Sequence, residues 1–359
     1  MKRRDLLKSV AVAGVGSALA APAYATGELK LRMTTSWPKG FPGLGTAPED
    51  FAQLLAKVSG GRITVEVHGA GEIAPALNAF DAVTDGSADL YHSAEYYYLG
   101  KSKALAFFAS VPFGMTAAEM DTWITRDGGQ ELWDELSGAF GIKPFPCGNT
   151  GVQAGGWFNK EVNKADDLKG LNIRMPGLGG EVMRRIGANA VTLAGGEISS
   201  ALQAGTIDAT EWVGPWNDYA FGLNKLAKIY YTGGFHEPGL MLSLGMNKGV
   251  YDKLSEADRN LVAACAAQAH SRSHTEFLAN NGAFLQRLRN EGTDIRAFAN
   301  DVWDAFGEAS AAVLKENADS DAGFKKIYES YEASRAKTAR WLSLSEGQYL
   351  GERNRIQSL

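Results

Sequence analysis

The sequence predicts an α/β chain of two similarly built lobes, braced by one long helix and followed by a helical C-terminal extension. Three observations carry that prediction. Short strands alternate with amphipathic helices through most of the 359 residues, without the even strand spacing of an all-β chain. One helix–glycine–strand–aromatic unit occurs twice, about 120 residues apart. A helical pattern opening on the capping-box-like Ser255-Glu256-Ala257-Asp258 meets no breaker before Asn280-Asn281-Gly282 and, if unbroken there, continues to Arg289. At about 1.5 Å per residue it spans roughly 50 Å, longer than one lobe is wide.

Taken in order, residues 29–34 alternate as a strand and lead into the turn Trp37-Pro38-Lys39-Gly40-Phe41-Pro42-Gly43. A helix follows to Val58, then a strand over 62–67, a helix over 74–84 and a short strand over 88–91. The repeated unit is Ala82-Val83-Thr84-Asp85-Gly86-Ser87-Ala88-Asp89 and its counterpart Leu202-Gln203-Ala204-Gly205-Thr206-Ile207-Asp208. In each, a helix stops at a glycine able to take the left-handed cap conformation. A loop rich in polar and aromatic groups comes next: His92-Ser93-Ala94-Glu95-Tyr96-Tyr97-Tyr98 in one case and Glu211-Trp212-Val213-Gly214-Pro215-Trp216 in the other. Beyond Met246 the pattern is helical, over 256–289, 301–316 and 322–342.

The first residues read as an export signal. Lys2, Arg3, Arg4 and Lys8 precede a short apolar run ending in the small-x-small sequence Ala23-Tyr24-Ala25. The run is too short and too rich in Gly and Ala to span a membrane, and Arg3-Arg4 fits the twin-arginine export pattern. Cleavage after Ala25 would place the mature protein in the periplasm and take its net charge from −5 to −8. An acidic surface of that kind excludes nucleic acid as the partner, and an anionic ligand would have to be held by local cations. Cys147 lies in an apolar strand-like run and Cys265 in Ala-rich helix, so both are expected as buried free thiols.

Catalytic signatures are missing. There is no Gly-x-Ser-x-Gly elbow, phosphate-binding loop, dinucleotide fingerprint or His-Glu-x-x-His pair. His270 and His274 stand four apart with no third ligand in sequence, which favours two solvated helix residues. His68, His92 and His236 are isolated. Arg174 ends a short strand over 171–174, the end at which open α/β sheets bind ligands. There its fork can grip a carboxylate or pair with a structural acid. Glu211 and Glu237 add two carboxylates that could converge, for acid–base chemistry, for a hard cation, or on separate surfaces.

Three segments resemble the substrate-binding proteins of tripartite ATP-independent periplasmic (TRAP) transporters, in particular their metal-using 2-oxo acid branch. They are Gly170-Leu171-Asn172-Ile173-Arg174-Met175-Pro176-Gly177, the run from Ala201 through Gly205 to Glu211-Trp212, and Gly234-Phe235-His236-Glu237-Pro238-Gly239. The resemblance covers nearly all of residues 26–345. It implies a two-lobed periplasmic solute-binding fold, with lobe I from 26–149 plus 236–283, lobe II from 150–235 plus 284–320, and an extension over 321–359. It implies that Arg174 grips the carboxylate of a small 2-oxo or 2-hydroxy acid. It also implies that Gln153, Glu211, the Trp212 carbonyl and Glu237 hold a bridging Na+ or Ca2+. Trp37, Tyr97 and Tyr98 would close over the ligand from the first lobe. The implied protein is a receptor with no enzyme activity, delivering its acid to the TRAP membrane permease; the alternatives are a periplasmic enzyme with Glu211 and Glu237 as acid/base pair, or a ligand-sensing subunit. The helical tail would allow a homodimer through swapped C-terminal helices.

Overall fold

The computed structural model describes residues 27–357, so the export segment expected at 1–25 lies outside the described residues. Two sheets organise the chain. Strands β1 (Leu29–Thr35), β2 (Ile63–His68), β3 (Leu90–Ser93) and β4 (Ile142–Asn149) belong to the first. Strands β5 (Gly156–Phe158), β6 (Asn172–Arg174), β7 (Asn189–Val191), β8 (Ala209–Thr210) and β9 (Ile229–Thr232) belong to the second. The chain then returns to the first sheet for β10 (Met241–Asn247) and crosses again for β11 (Asp294–Ala297). The strand orders are β2-β1-β3-β10-β4 and β11-β9-β5-β8-β6-β7. Each sheet is parallel except around one inserted strand, β10 in the first and β5 in the second.

The repeated unit is real in the backbone. Gly86 and Gly205 adopt φ of +82° and +68°, the left-handed conformation that ends a helix cheaply only for glycine. The strand after Gly86 sits later than the sequence pattern placed it, at Leu90–Ser93 instead of 88–91. The Asp89 carboxylate accepts the Arg32 backbone N–H at 2.7 Å, and pairing with β1 starts one residue later. His92 and Ser93 are therefore strand residues.

The long helix Glu256–Asn290 has 35 residues, about 52 Å. Ser255 caps it, its hydroxyl accepting the Asp258 N–H at 3.1 Å. Asn280-Asn281-Gly282 does not interrupt it, and the Asn281 side chain accepts the Trp216 N–H at 3.1 Å, which ties the helix to the second sheet's side. Val262, Cys265, Ala266 and Ala269 pack into the core of the first sheet. Phe277 and Leu288 pack with Trp157, Trp216 and Tyr230 of the second. One rod thus bridges both cores. Cys147 and Cys265 are buried and free. Further helices run over Asn300–Ser320 and Ala322–Leu342, and the last continues to Gln357. No helix among the described residues is long and apolar enough to cross a membrane.

Candidate functional site

The register of the second sheet brings the predicted polar residues to one edge. Arg174 ends β6 and pairs in parallel with Thr210 of β8, and the Glu211 N–H continues the ladder to the Arg174 carbonyl at 3.2 Å. Gln153 precedes the antiparallel strand β5, and Glu237 follows β9. The Gln153 N–H donates to the Glu237 carbonyl at 3.0 Å, and the Gly234 N–H to the Gln153 carbonyl at 2.9 Å. The Ala154 N–H bonds the Val213 carbonyl at 3.0 Å, which holds the Glu211-Trp212 turn against the same segment. Residues 174, 211 and 237 sit at strand carboxyl ends, and Gln153 joins them because its strand runs the other way.

Arg174 is 1% exposed. Its Nη1 donates to the Glu211 carboxylate and, at 3.2 Å, to the Glu211 carbonyl. Nε donates to the Leu193 carbonyl at 3.2 Å, and Nη2 to the Tyr97 hydroxyl at 3.3 Å. The Tyr97 bond reaches across from the first sheet's side. Burial pulls against the charge on Arg174, yet Glu211 beside it holds its pKa above the ordinary arginine range. The guanidinium also lies 5.2 Å over the Trp212 ring.

Three buried side-chain oxygens of these residues have no hydrogen-bond partner: Gln153 Oε1, Glu211 Oε2 and Glu237 Oε2. Leaving such groups buried and unpaired costs about 1–3 kcal/mol each. Burial, then the Glu211 charge, pushes the Glu237 carboxyl well above the usual carboxylate range. The donor set is neutral and anionic oxygen in a region with one buried cation, which fits a hard cation such as Na+ or Ca2+.

The aromatic residues divide. Trp37 is buried, donates its indole N–H to His92 Nδ1 at 2.9 Å, and stands 6.1 Å from Tyr97 and 6.3 Å from Trp212, centroid to centroid. His92 in turn meets the Cys147 carbonyl through Nε2 at 3.0 Å, and burial lowers its pKa to about 4, so it is neutral. Tyr98, expected over the ligand, is elsewhere. It donates to Ser93 Oγ at 2.7 Å and packs 5.0 Å from Phe80 in the first lobe's interior. Glu95–Tyr98 is a 3₁₀ turn, in which successive side chains point about 120° apart, so Tyr97 and Tyr98 cannot face one cleft.

Two residues missed in the sequence reading lie here. Tyr96 is buried, its ring 4.9 Å from that of Tyr97, and its hydroxyl works to lower the pKa of Glu237. His236 Nε2 is 3.4 Å from Glu211 Oε2. Glu211, His236 and Glu237 offer one ligand atom each within 4.8 Å of one another, the one such group of three among the described residues. The only sequence signal was adjacency to Glu237. His270 is not the solvated residue the helix spacing favoured. It is buried, its Nδ1 accepting the Gly148 N–H at 3.2 Å and its Nε2 facing Asp121 at 2.8 Å. The helix face that carries it packs on β4.

A sequence profile for the bacterial extracellular solute-binding proteins, family 7, matches residues 33–321. A monocarboxylate 2-oxoacid-binding periplasmic protein of Nostoc sp. is 38% identical over 357 residues, covering 97% of this chain and 98% of its own length. A TRAP periplasmic solute-binding protein of Colwellia psychrerythraea, solved with bound calcium and pyruvate, superposes with a TM-score of 0.88 at 35% identity. One of Pseudoalteromonas atlantica, solved with sodium and pyruvate, does so with a TM-score of 0.88 at 36% identity. Each alignment covers 90% of this chain and 99% of the solved one.

Proposed function

This chain belongs to family 7 of the bacterial extracellular solute-binding proteins, the periplasmic receptors of TRAP transporters, and from that premise we propose that it captures a 2-oxo monocarboxylate of pyruvate's class together with a hard cation. Gln153 Oε1, Glu211 Oε2 and Glu237 Oε2, all buried and without a hydrogen-bond partner, carry the proposal. The lobes built on the two sheets (26–149 with 236–283, and 150–235 with 284–320) close on the acid. Glu211 orients the guanidinium, Arg174 and the Tyr97 hydroxyl hold the ligand's carboxylate, and Trp37 and Trp212 exclude water. Gln153, Glu211, Glu237 and the Trp212 carbonyl hold the cation, which supplies the positive charge that one arginine facing three carboxylates lacks. The family's transporters give the loaded receptor a membrane permease as its partner.

The test is calorimetric titration with pyruvate after exhaustive chelation and sodium removal. Binding should weaken markedly and recover when Na+ or Ca2+ returns, because linked sites raise each other's affinity by the same factor. Full affinity in ion-free buffer would overturn the cation's role. The protein acts without covalent chemistry in this reading. Glu211 is bound to Arg174 and is not poised as an acid–base partner of Glu237, so pyruvate incubated with the protein should be recovered unchanged by NMR.

The C-terminal helices expose Trp341, Leu344, Tyr349 and Ile356, the least exposed of them at 64%. So much apolar surface on one tail favours cover by a second copy of the chain. Light scattering should then give a dimer that Trp341→Glu with Leu344→Glu dissociates.

A further inference from the structure

We infer that His236 is a nitrogen ligand in the proposed cation site, so that the site takes imidazole-preferring divalent ions such as Co2+ or Zn2+ more tightly than Ca2+. The inference rests on the cation reading above and concerns which ions the site selects.

His236 is 3% exposed, and both ring nitrogens are buried without a hydrogen-bond partner. Buried imidazoles ordinarily bond through at least one nitrogen, as His92 and His270 do here. A ring buried without a hydrogen bond, with the Glu211 carboxylate as its ion-pair neighbour, leaves room for a cation to bind both groups. Its Nε2 stands 3.4 Å from Glu211 Oε2. Atoms bound to one ion at about 2.4 Å and meeting at right angles stand about 3.4 Å apart. Glu237 completes the cluster within 4.8 Å.

The ring is seated by its surroundings. A Cβ at Gly234 would lie 2.8 Å from His236 Cε1, and a Cβ at Gly179 would lie 2.8 Å from His236 Cβ. Larger residues at either position would drive the imidazole from its place. Phe235 fixes the backbone on the other side, stacked 4.0 Å from Phe306 and accepting the Phe113 N–H at its carbonyl. An all-oxygen set suits Na+ and Ca2+. One imidazole among these four oxygens shifts preference toward first-row divalent ions, whose affinity for nitrogen exceeds that of the hard ions.

The experiment compares Co2+ and Ca2+ in supporting pyruvate binding to the stripped full-length protein and to His236→Gln. The wild type should favour Co2+, and His236→Gln should cut the Co2+-to-Ca2+ affinity ratio about tenfold or more. An unchanged ratio overturns the inference. Electron spin-echo spectroscopy of Mn2+ bound to the wild type with pyruvate gives a reading independent of whether the variant folds. Nitrogen coupling from a directly bound imidazole is expected, and its absence overturns the assignment. Pyruvate binding that ignores every ion would instead overturn the cation reading on which the inference stands.

Discussion

Each lobe buries one glutamate just after the strand of its repeated unit, Glu95 after β3 and Glu211 after β8, and the two meet opposite fates. Glu95 has no cation beside it. One oxygen accepts the Tyr91 hydroxyl at 2.7 Å, the other is unpartnered, and burial pushes its pKa up to about 7. Glu211 is equally buried but lies against Arg174. The same local pattern therefore yields a carboxyl that tends to hold its proton in one lobe and a carboxyl bound to an arginine in the other. What differs is the strand alongside: β8 pairs with β6 and its terminal arginine, whereas β3 pairs with β1 and β10, which bring Thr35 and Ser243.

Removing the arginine should have the largest effect. Arg174→Ala would strand Glu211 and the incoming carboxylate, costing about 2–5 kcal/mol of pyruvate binding by calorimetry. Arg174→Lys should recover little, since a point charge cannot make the bonds of the fork. Equal affinity in Arg174→Ala would erase the distinction between the lobes.

The next effect lies in the first lobe. The folded pKa of Glu95, about 7, is above its ordinary value of 4.5. The folded state therefore binds more protons than the unfolded one between these values. The associated stability is present below about pH 4.5 and is lost as pH rises through about 7. The shift corresponds to about 3 kcal/mol. Asp218, also raised to about 7 by burial, adds a slope of the same sign. Urea midpoints from pH 4 to 8 should fall less steeply in Glu95→Gln than in the parent, with the remainder due to Asp218. An unaltered slope would remove the contrast drawn for Glu95.

A smaller loss is expected at Glu237. Glu237→Gln keeps the shape but removes a charge, and the cation's affinity should fall about 10–100-fold. Dependence of pyruvate binding on added Na+ or Ca2+ should be blunted in the same titrations. The smallest test compares neighbours in one turn. Tyr97→Phe should cost about 1 kcal/mol of ligand binding through its bond to Arg174. Tyr98→Phe should leave binding alone and lower stability, because its hydroxyl bonds Ser93 inside the first lobe.

Much of the architecture was legible because it is written in local periodicity. The alternation of strands and helices, the caps at Gly86 and Gly205 and the unbroken helix from Glu256 depend on neighbours within a few residues. Strand placement at 90–93 was not legible, since the Asp89 bond to Arg32 joins residues 57 apart in sequence. Arg174, Glu211 and Glu237 were singled out from their residue types and motifs, and Gln153 through the family resemblance, but their gathering at one edge depends on register and on the antiparallel insertion of β5.

The sequence by itself determined the alternating α/β elements, the twice-used unit and the bridging helix, because hydrophobic period and capping chemistry act at short range. Only the tertiary structure decided which side chains face the cleft. The 3₁₀ turn at Glu95–Tyr98 turns Tyr97 in and Tyr98 away, and packing on β4 buries His270. The close approach of Gly179 and Gly234 seats His236 beside Glu211. Contacts of this kind are set by strands and helices meeting across long stretches of chain, where no local pattern records which atoms will touch.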